Sequence, residues 1–178
     1  MESEELLRYP IGRYVIPEAY TREQLDDWMD ILSVLPSWLD AVIENLDEYQ
    51  LSTPYREGGW TVSQLIHHIA DSHTNALIRL KLTLTEDTPQ IQPYNQDAWV
   101  GLPDVTTEPV NVSITLLHAL HRRMLALLRG LDREQLERSC FHPEHQRLIP
   151  VWELIAMYAW HSRHHTEHIK QLRLRKNW

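Results

Sequence analysis

Four long stretches of this sequence repeat apolar residues three and four apart, the spacing of a helix with one buried face. The first covers about residues 21–48 and carries Leu25, Trp28, Leu32, Leu35, Leu39 and Val42. Thr21 followed by Gln24 opens it with a capping box. Pro36 falls inside the pattern and predicts a kink or local break, because proline brings no N–H to the helix ladder. The second stretch opens on another capping box, Thr61 and Gln64, and continues through Leu65, Ile69, Leu77 and Leu84. The third runs from about Asn111 to Arg129 and the fourth from about Val151 to Lys176. Asp132 predicts a short capped turn between them. No run alternates apolar and polar residues long enough to predict a strand.

The intervening segments differ in kind. Residues 1–20 hold Pro10, Gly12 and Pro17 and read as an irregular N-terminal arm on the domain surface. Residues 87–110 carry four prolines, together with Tyr94 and Trp99. A long connection of this kind is either a plain crossover between helices or the lining of a pocket. The expected architecture is an all-α four-helix bundle with a long crossover connection, a single domain spanning residues 1–178.

Composition narrows the function. Seventeen basic residues against 25 acidic ones leave a net charge of −8, a poor match to the phosphate backbone of a nucleic acid. The basic tail Arg173, Arg175 and Lys176 reads instead as cations facing a helix C-terminus. No apolar run approaches the length of a membrane span, and no apolar segment follows the acidic N-terminus as in a secretory leader. Neither membrane nor nucleic acid is expected as a partner. A cytoplasmic location is expected, in keeping with a single cysteine, Cys140, which reads as a small buried apolar residue.

The departure from ordinary composition is histidine, present 11 times. On the fourth helix, His165 falls within the apolar stripe and His161 at its edge. His168 and His164 fall successively further out. His161 and His165 are spaced i, i+4, so both imidazoles share one face, the spacing by which a helix chelates one metal ion with two histidines. A third ligand would come from another helix. On the second helix, periodicity places His73 well inside the stripe, His68 at its flank and His67 pointing away, and so selects His73. His118 and His121 read as a polar or edge pair. His142 and His145 read as loop residues.

The segment Thr53-Pro54-Tyr55-Arg56-Glu57-Gly58-Gly59-Trp60-Thr61-Val62, running into His67-His68-Ile69-Ala70-Asp71-Ser72-His73, resembles the YfiT family of DinB-like proteins. Tyr9-Pro10-Ile11-Gly12, residues 82–89 and Trp160-His161-Ser162-Arg163-His164-His165 extend the likeness, in the same order, over nearly the whole chain. The resemblance implies an up-up-down-down type of bundle whose metal is held by three histidines. On that basis the ligands here are His68, His161 and His165, with His68 replacing the His73 that periodicity selects. It further implies a metal-dependent protein with a small-molecule substrate and a homodimer, and three imidazole ligands suit a divalent ion, zinc before nickel.

Two enzymatic readings follow from the resemblance. One is a thiol S-transferase that uses a bacillithiol-like low-molecular-weight thiol on small electrophiles. The other is a hydrolase that uses water activated by the same metal. A third reading, from a different class, is a non-catalytic metal-binding bundle with a closed or buried ion. Asp71 and Glu167 are candidate proton acceptors, although either also reads as a solvated residue or as an anchor for a histidine N–H.

Overall fold

The computed structural model describes residues 4–178. In chain order it contains α1 (Glu4–Arg8), α2 (Arg22–Ile43), α3 (Glu48–Leu51), α4 (Val62–Thr85), α5 (Gln96–Trp99), α6 (Pro103–Thr107), α7 (Val110–Leu128), α8 (Arg133–Glu137), β1 (Ser139–His142), β2 (Arg147–Pro150) and α9 (Val151–Lys176). The four long helices α2, α4, α7 and α9 form the bundle. α2 packs on α9 and α7, and α4 packs on the same two. Thus α2 lies diagonally across from α4, as α7 does from α9, and the connections from α2 to α4 and from α7 to α9 each cross the bundle.

Both capping boxes form as the sequence predicts. The Gln24 N–H donates to Thr21 Oγ1 at 3.1 Å while the Thr21 N–H donates to Gln24 Oε1 at 2.9 Å. Thr61 and Gln64 repeat these distances at the start of α4. The apolar stripes then meet in one core, where Leu32, Leu39, Leu65, Ile69, Leu117 and Ile169 are essentially without exposed surface. Each such side chain contributes on the order of 1.5–3 kcal/mol through burial.

The structure departs from the sequence expectations in four places. α2 ends at Ile43 rather than near residue 48, because Asn45 takes a left-handed backbone (φ 62°) and Asp47 opens the separate turn α3 with its own capping box. Of the kink or break expected at Pro36, the break does not occur, and the residue sits inside a continuous α2. Its ring removes the N–H that would satisfy the Leu32 carbonyl one turn earlier, and His121 Nδ1 from α7 takes that place at 2.6 Å. The N-terminal arm, expected to be irregular, contains α1. Finally, a two-stranded antiparallel hairpin joins α8 to α9, pairing Ser139 with Pro150 and His142 with Arg147. Its four-residue strands are too short for a periodic signal, and the long connection braces it through Ile91 N–H donating to the Phe141 carbonyl at 3.0 Å.

Cys140 is fully buried, as expected. The basic tail also has a use within the fold. Arg173 donates to the carbonyls of Val42 (2.8 Å) and Glu44 (3.0 Å), which closes the C-terminus of α2. No helix among the described residues is long and apolar enough to cross a membrane.

Candidate metal centre

α4 and α9 are neighbours in the bundle, and each delivers histidines to their shared seam. His68 Nε2 lies 3.2 Å from His161 Nε2, and His165 Nε2 lies 3.1 Å from the same atom. His68 and His165 are buried, while His161 is partly open. Three like nitrogens pointing at one another are a poor hydrogen-bonding arrangement, since a neutral imidazole carries one proton for two nitrogens. They suit a cation. Ligand bonds of about 2.0–2.1 Å in tetrahedral geometry place ligand nitrogens roughly 3.4 Å apart, close to the separations here. The structure thus brings together the three residues His68, His161 and His165, and the donor set fits a divalent metal.

Electrostatics favour the metal-ready state. Burial pushes His68 down to about 4, and burial together with the neighbouring imidazoles holds His161 and His165 well below the usual histidine range. All three are therefore neutral at pH 7, with a lone pair free for an ion.

The nitrogens open on a cavity of about 410 Å³, a size suited to a small molecule. Trp60 lies against His68 (ring centroids 4.7 Å apart) and Tyr55 against His168 (4.0 Å). Arg8 from α1 and Arg56 from the loop before α4 line the wall, and the 87–110 connection contributes Gln96 and Asp97. That connection therefore does line a pocket. The opening also argues against the closed ion that a purely structural centre would have.

The turn that carries Tyr55, Arg56 and Trp60 is tightly built. Gly58 has φ 63°, and a Cβ on Gly59 would meet Arg56 Cγ at 2.8 Å and Tyr55 Cε1 at 2.9 Å. Gly59→Ala is expected to cost about 1–3 kcal/mol through this overpacking. Urea unfolding measures it, and an unchanged midpoint would show that Tyr55 and Arg56 move aside freely.

Other histidine assignments need correction. His67, expected to point away, is buried and lies 2.8 Å from Ser113 Oγ on α7. His164 and His168, which lie outside the apolar stripe, are nevertheless buried, and both line the cavity. The N-terminal arm covers them, with Tyr9 against His164 and the Arg8 carbonyl 3.1 Å from His168 Nε2. His121 is no edge residue but is buried between α7, α2 and α4, whereas its expected partner His118 is exposed and pairs with Asp40 at 2.8 Å. His142 and His145 lie against each other and face a separate cavity beside Arg79 and Glu153. Neither Asp71 nor Glu167 lines the metal cavity. Burial and Asp104 push the Asp71 carboxyl up to about 6, and Glu167 accepts from Gln171 Nε2 at 2.7 Å. His164, His165 and His168 form a second histidine triad that shares His165 with the first.

A four-helix bundle with an interhelical histidine cluster opening on a small-molecule cavity defines a class of metal-binding helical proteins. Comparison with known proteins places it more closely. The chain belongs to the DinB superfamily, whose pattern matches residues 32–169. It is 48% identical over 172 residues to a Bacillus pumilus protein named "Putative metal-dependent hydrolase", covering 97% of this chain and 98% of that protein. It is 45% identical to "Putative metal-dependent hydrolase YfiT" of Bacillus subtilis, covering 97% of each. The solved structure of B. subtilis YfiT, described as having an unusual four-helix bundle topology, superposes with a TM-score of 0.95 over 97% of this chain and 99% of that one. A mycothiol-dependent maleylpyruvate isomerase shares the fold at 18% identity, with a TM-score of 0.64 over 82% of this chain and 60% of its own.

Proposed function

We propose that this protein is a metal-dependent hydrolase of small molecules, with the metal held by His68, His161 and His165. The convergence of their three Nε2 atoms at the floor of an open cavity carries the reading. The names of relatives 45–48% identical over nearly the full length support it. Zinc is the proposed metal and nickel the alternative. A divalent ion bound there would supply Lewis acidity, lowering the pKa of a nucleophile brought to it and polarising the substrate.

The chain's own groups do the rest. The three imidazoles bind without cancelling the ion's charge, which leaves it strongly electrophilic. Trp60 and Tyr55 wall off bulk water. Arg8 and Arg56 orient a substrate carrying an anionic group. Asp97, the carboxylate among the described cavity-lining residues, is the group available to accept a proton.

A second reading keeps the site and changes the nucleophile to a low-molecular-weight thiol, transferred to a small electrophile. The cationic wall favours it, because Arg8 and Arg56 stabilise a thiolate over a thiol. The proposed setting, a homodimer in the cytoplasm, rests on the family resemblance and on composition.

Metal-stripped and zinc-reloaded protein, assayed against nitrophenyl esters and phosphates in water and against a chlorinated aromatic with added thiol, tests both readings. Metal-dependent turnover in water supports hydrolysis. Turnover that needs both metal and thiol selects transfer, and turnover indifferent to metal overturns both. Arg56→Ala is expected to raise KM about tenfold for anionic substrates, roughly the loss of one charge-assisted contact, and to leave neutral ones nearly unchanged.

A further inference from the structure

Two chains of hydrogen-bonded histidines end on the proposed ligands, and each begins on a backbone carbonyl. A carbonyl only accepts, so it dictates which nitrogen of the imidazole facing it carries the proton. On the bundle side, His121 Nδ1 lies 2.6 Å from the Leu32 carbonyl, the one that Pro36 leaves without a helical partner. His121 therefore carries its proton on Nδ1, and its bare Nε2 accepts from His73 Nδ1 at 3.0 Å. The bare Nε2 of His73 in turn faces His161 Nδ1 at 3.3 Å. His161 must then hold its proton on Nδ1, which leaves Nε2 bare and turned toward His68 and His165.

The second chain starts on the opposite side. His168 Nε2 donates to the Arg8 carbonyl at 3.1 Å, and its bare Nδ1 faces His165 Nδ1 at 3.4 Å. His165 thus carries its proton on Nδ1, and its Nε2 is also bare toward the centre. The two chains share no residue, yet they impose the same tautomer on both α9 ligands. The propagation requires neutral imidazoles, and burial favours that form, since His73 is 0% exposed and His121 and His168 are each 2% exposed.

We propose that His73 with His121, and His168 with the N-terminal arm, are positioning residues that lock His161 and His165 as Nδ1–H tautomers with Nε2 aimed at one metal ion. The proposal rests on the metal-centre reading and deepens it. It also separates the two triads: a centre at His164, His165 and His168 that used the His165 nitrogen facing His168 would need the opposite tautomer. An imidazole held in this way does not reorganise when the ion arrives, which is how hydrogen-bonded outer partners raise metal affinity.

Protein labelled with ¹⁵N-histidine, studied metal-free and with Zn²⁺ as a diamagnetic probe, reads each tautomer through long-range ¹H–¹⁵N correlations. The expected protons are on Nδ1 of His121, His73, His161 and His165, and on Nε2 of His168. A proton on Nε2 of His73 or His165 overturns the scheme. His73→Phe fills the space without an acceptor, while His73→Gln keeps an oxygen for His161. Zn²⁺ affinity is expected to fall about 10–100-fold in the first and to recover largely in the second. Equal affinity in wild type and His73→Phe, or equal loss in both variants, overturns the positioning role. If wild type takes up no Zn²⁺, the metal reading fails, and the tautomers of the metal-free protein still decide the relay.

Discussion

His161→Ala should leave a protein that folds but no longer retains metal through dialysis. His161 Nε2 is the atom common to both close approaches in the cluster, 3.2 Å to His68 and 3.1 Å to His165. Removing it leaves two imidazoles and a widened opening toward the cavity. The affinity loss should exceed the about 10–100-fold that outer hydrogen-bond partners typically carry. His68→Ala and His165→Ala should behave alike, because no other described residue supplies a third nitrogen to that point. His164→Ala is the control. Its ring stacks on Trp160 at 4.4 Å, and its buried Nδ1 has no hydrogen-bond partner among the described residues, so the change removes packing but no ligand of the proposed triad. Elemental analysis of the four variants decides the matter. Equal metal content in all four would sink the assignment, and loss in His164→Ala with retention in His161→Ala would move the ion to the second triad.

The contrast between His68 and His73 shows what local periodicity reads well and what it does not. It ranks burial, and it ranked correctly, for His73 has no exposed surface. A ligand that must meet substrate, however, stands where a stripe gives way to an opening. The proposed ligand His68 occupies that flank, with Trp60 against it and the cavity beyond. His73 stands behind, in contact with His161. The i, i+4 pair on α9 was legible because both members lie on one element. His68 needed the family resemblance, because which flank of α4 meets α9 is a matter of bundle packing.

The remaining misreadings share that cause. His164 and His168 lie outside the apolar stripe of α9, and what buries them is a segment about 160 residues away in sequence. The apolar stripe of α9 carries no trace of that arm. His67 is covered by Ser113 of α7 in the same way. Pro36 is the inverse case. The local rule predicts a kink or a break, and where a break would free the Leu32 carbonyl, a side chain from another helix satisfies it.

The metal-free protein should unfold cooperatively as pH falls from about 6.5 to 4. Nine of the 11 histidines are held below their ordinary value, with burial the leading cause in each. Above about pH 6.5 these groups are neutral in both folded and unfolded chains and contribute nothing to the pH dependence. Below it the unfolded chain takes up protons that the folded one refuses, so stability falls until the folded groups themselves titrate. For His121 and His168, each about 2% exposed and each held at about 4, the loss approaches roughly 3 kcal/mol apiece. Several such groups match a typical total stability of about 5–15 kcal/mol. Asp71 acts in the opposite sense: its raised value lets the folded protein bind a proton first as pH falls toward about 6, but it is one group against many. Tryptophan fluorescence and urea midpoints from pH 7 to 4 measure the effect. Bound metal should move the transition to lower pH, because the ion competes with protons for the same nitrogens. A urea midpoint that stays flat across this range would mean that the buried histidines are neither dry nor neutral, which would remove the electrostatic basis for the metal centre as well.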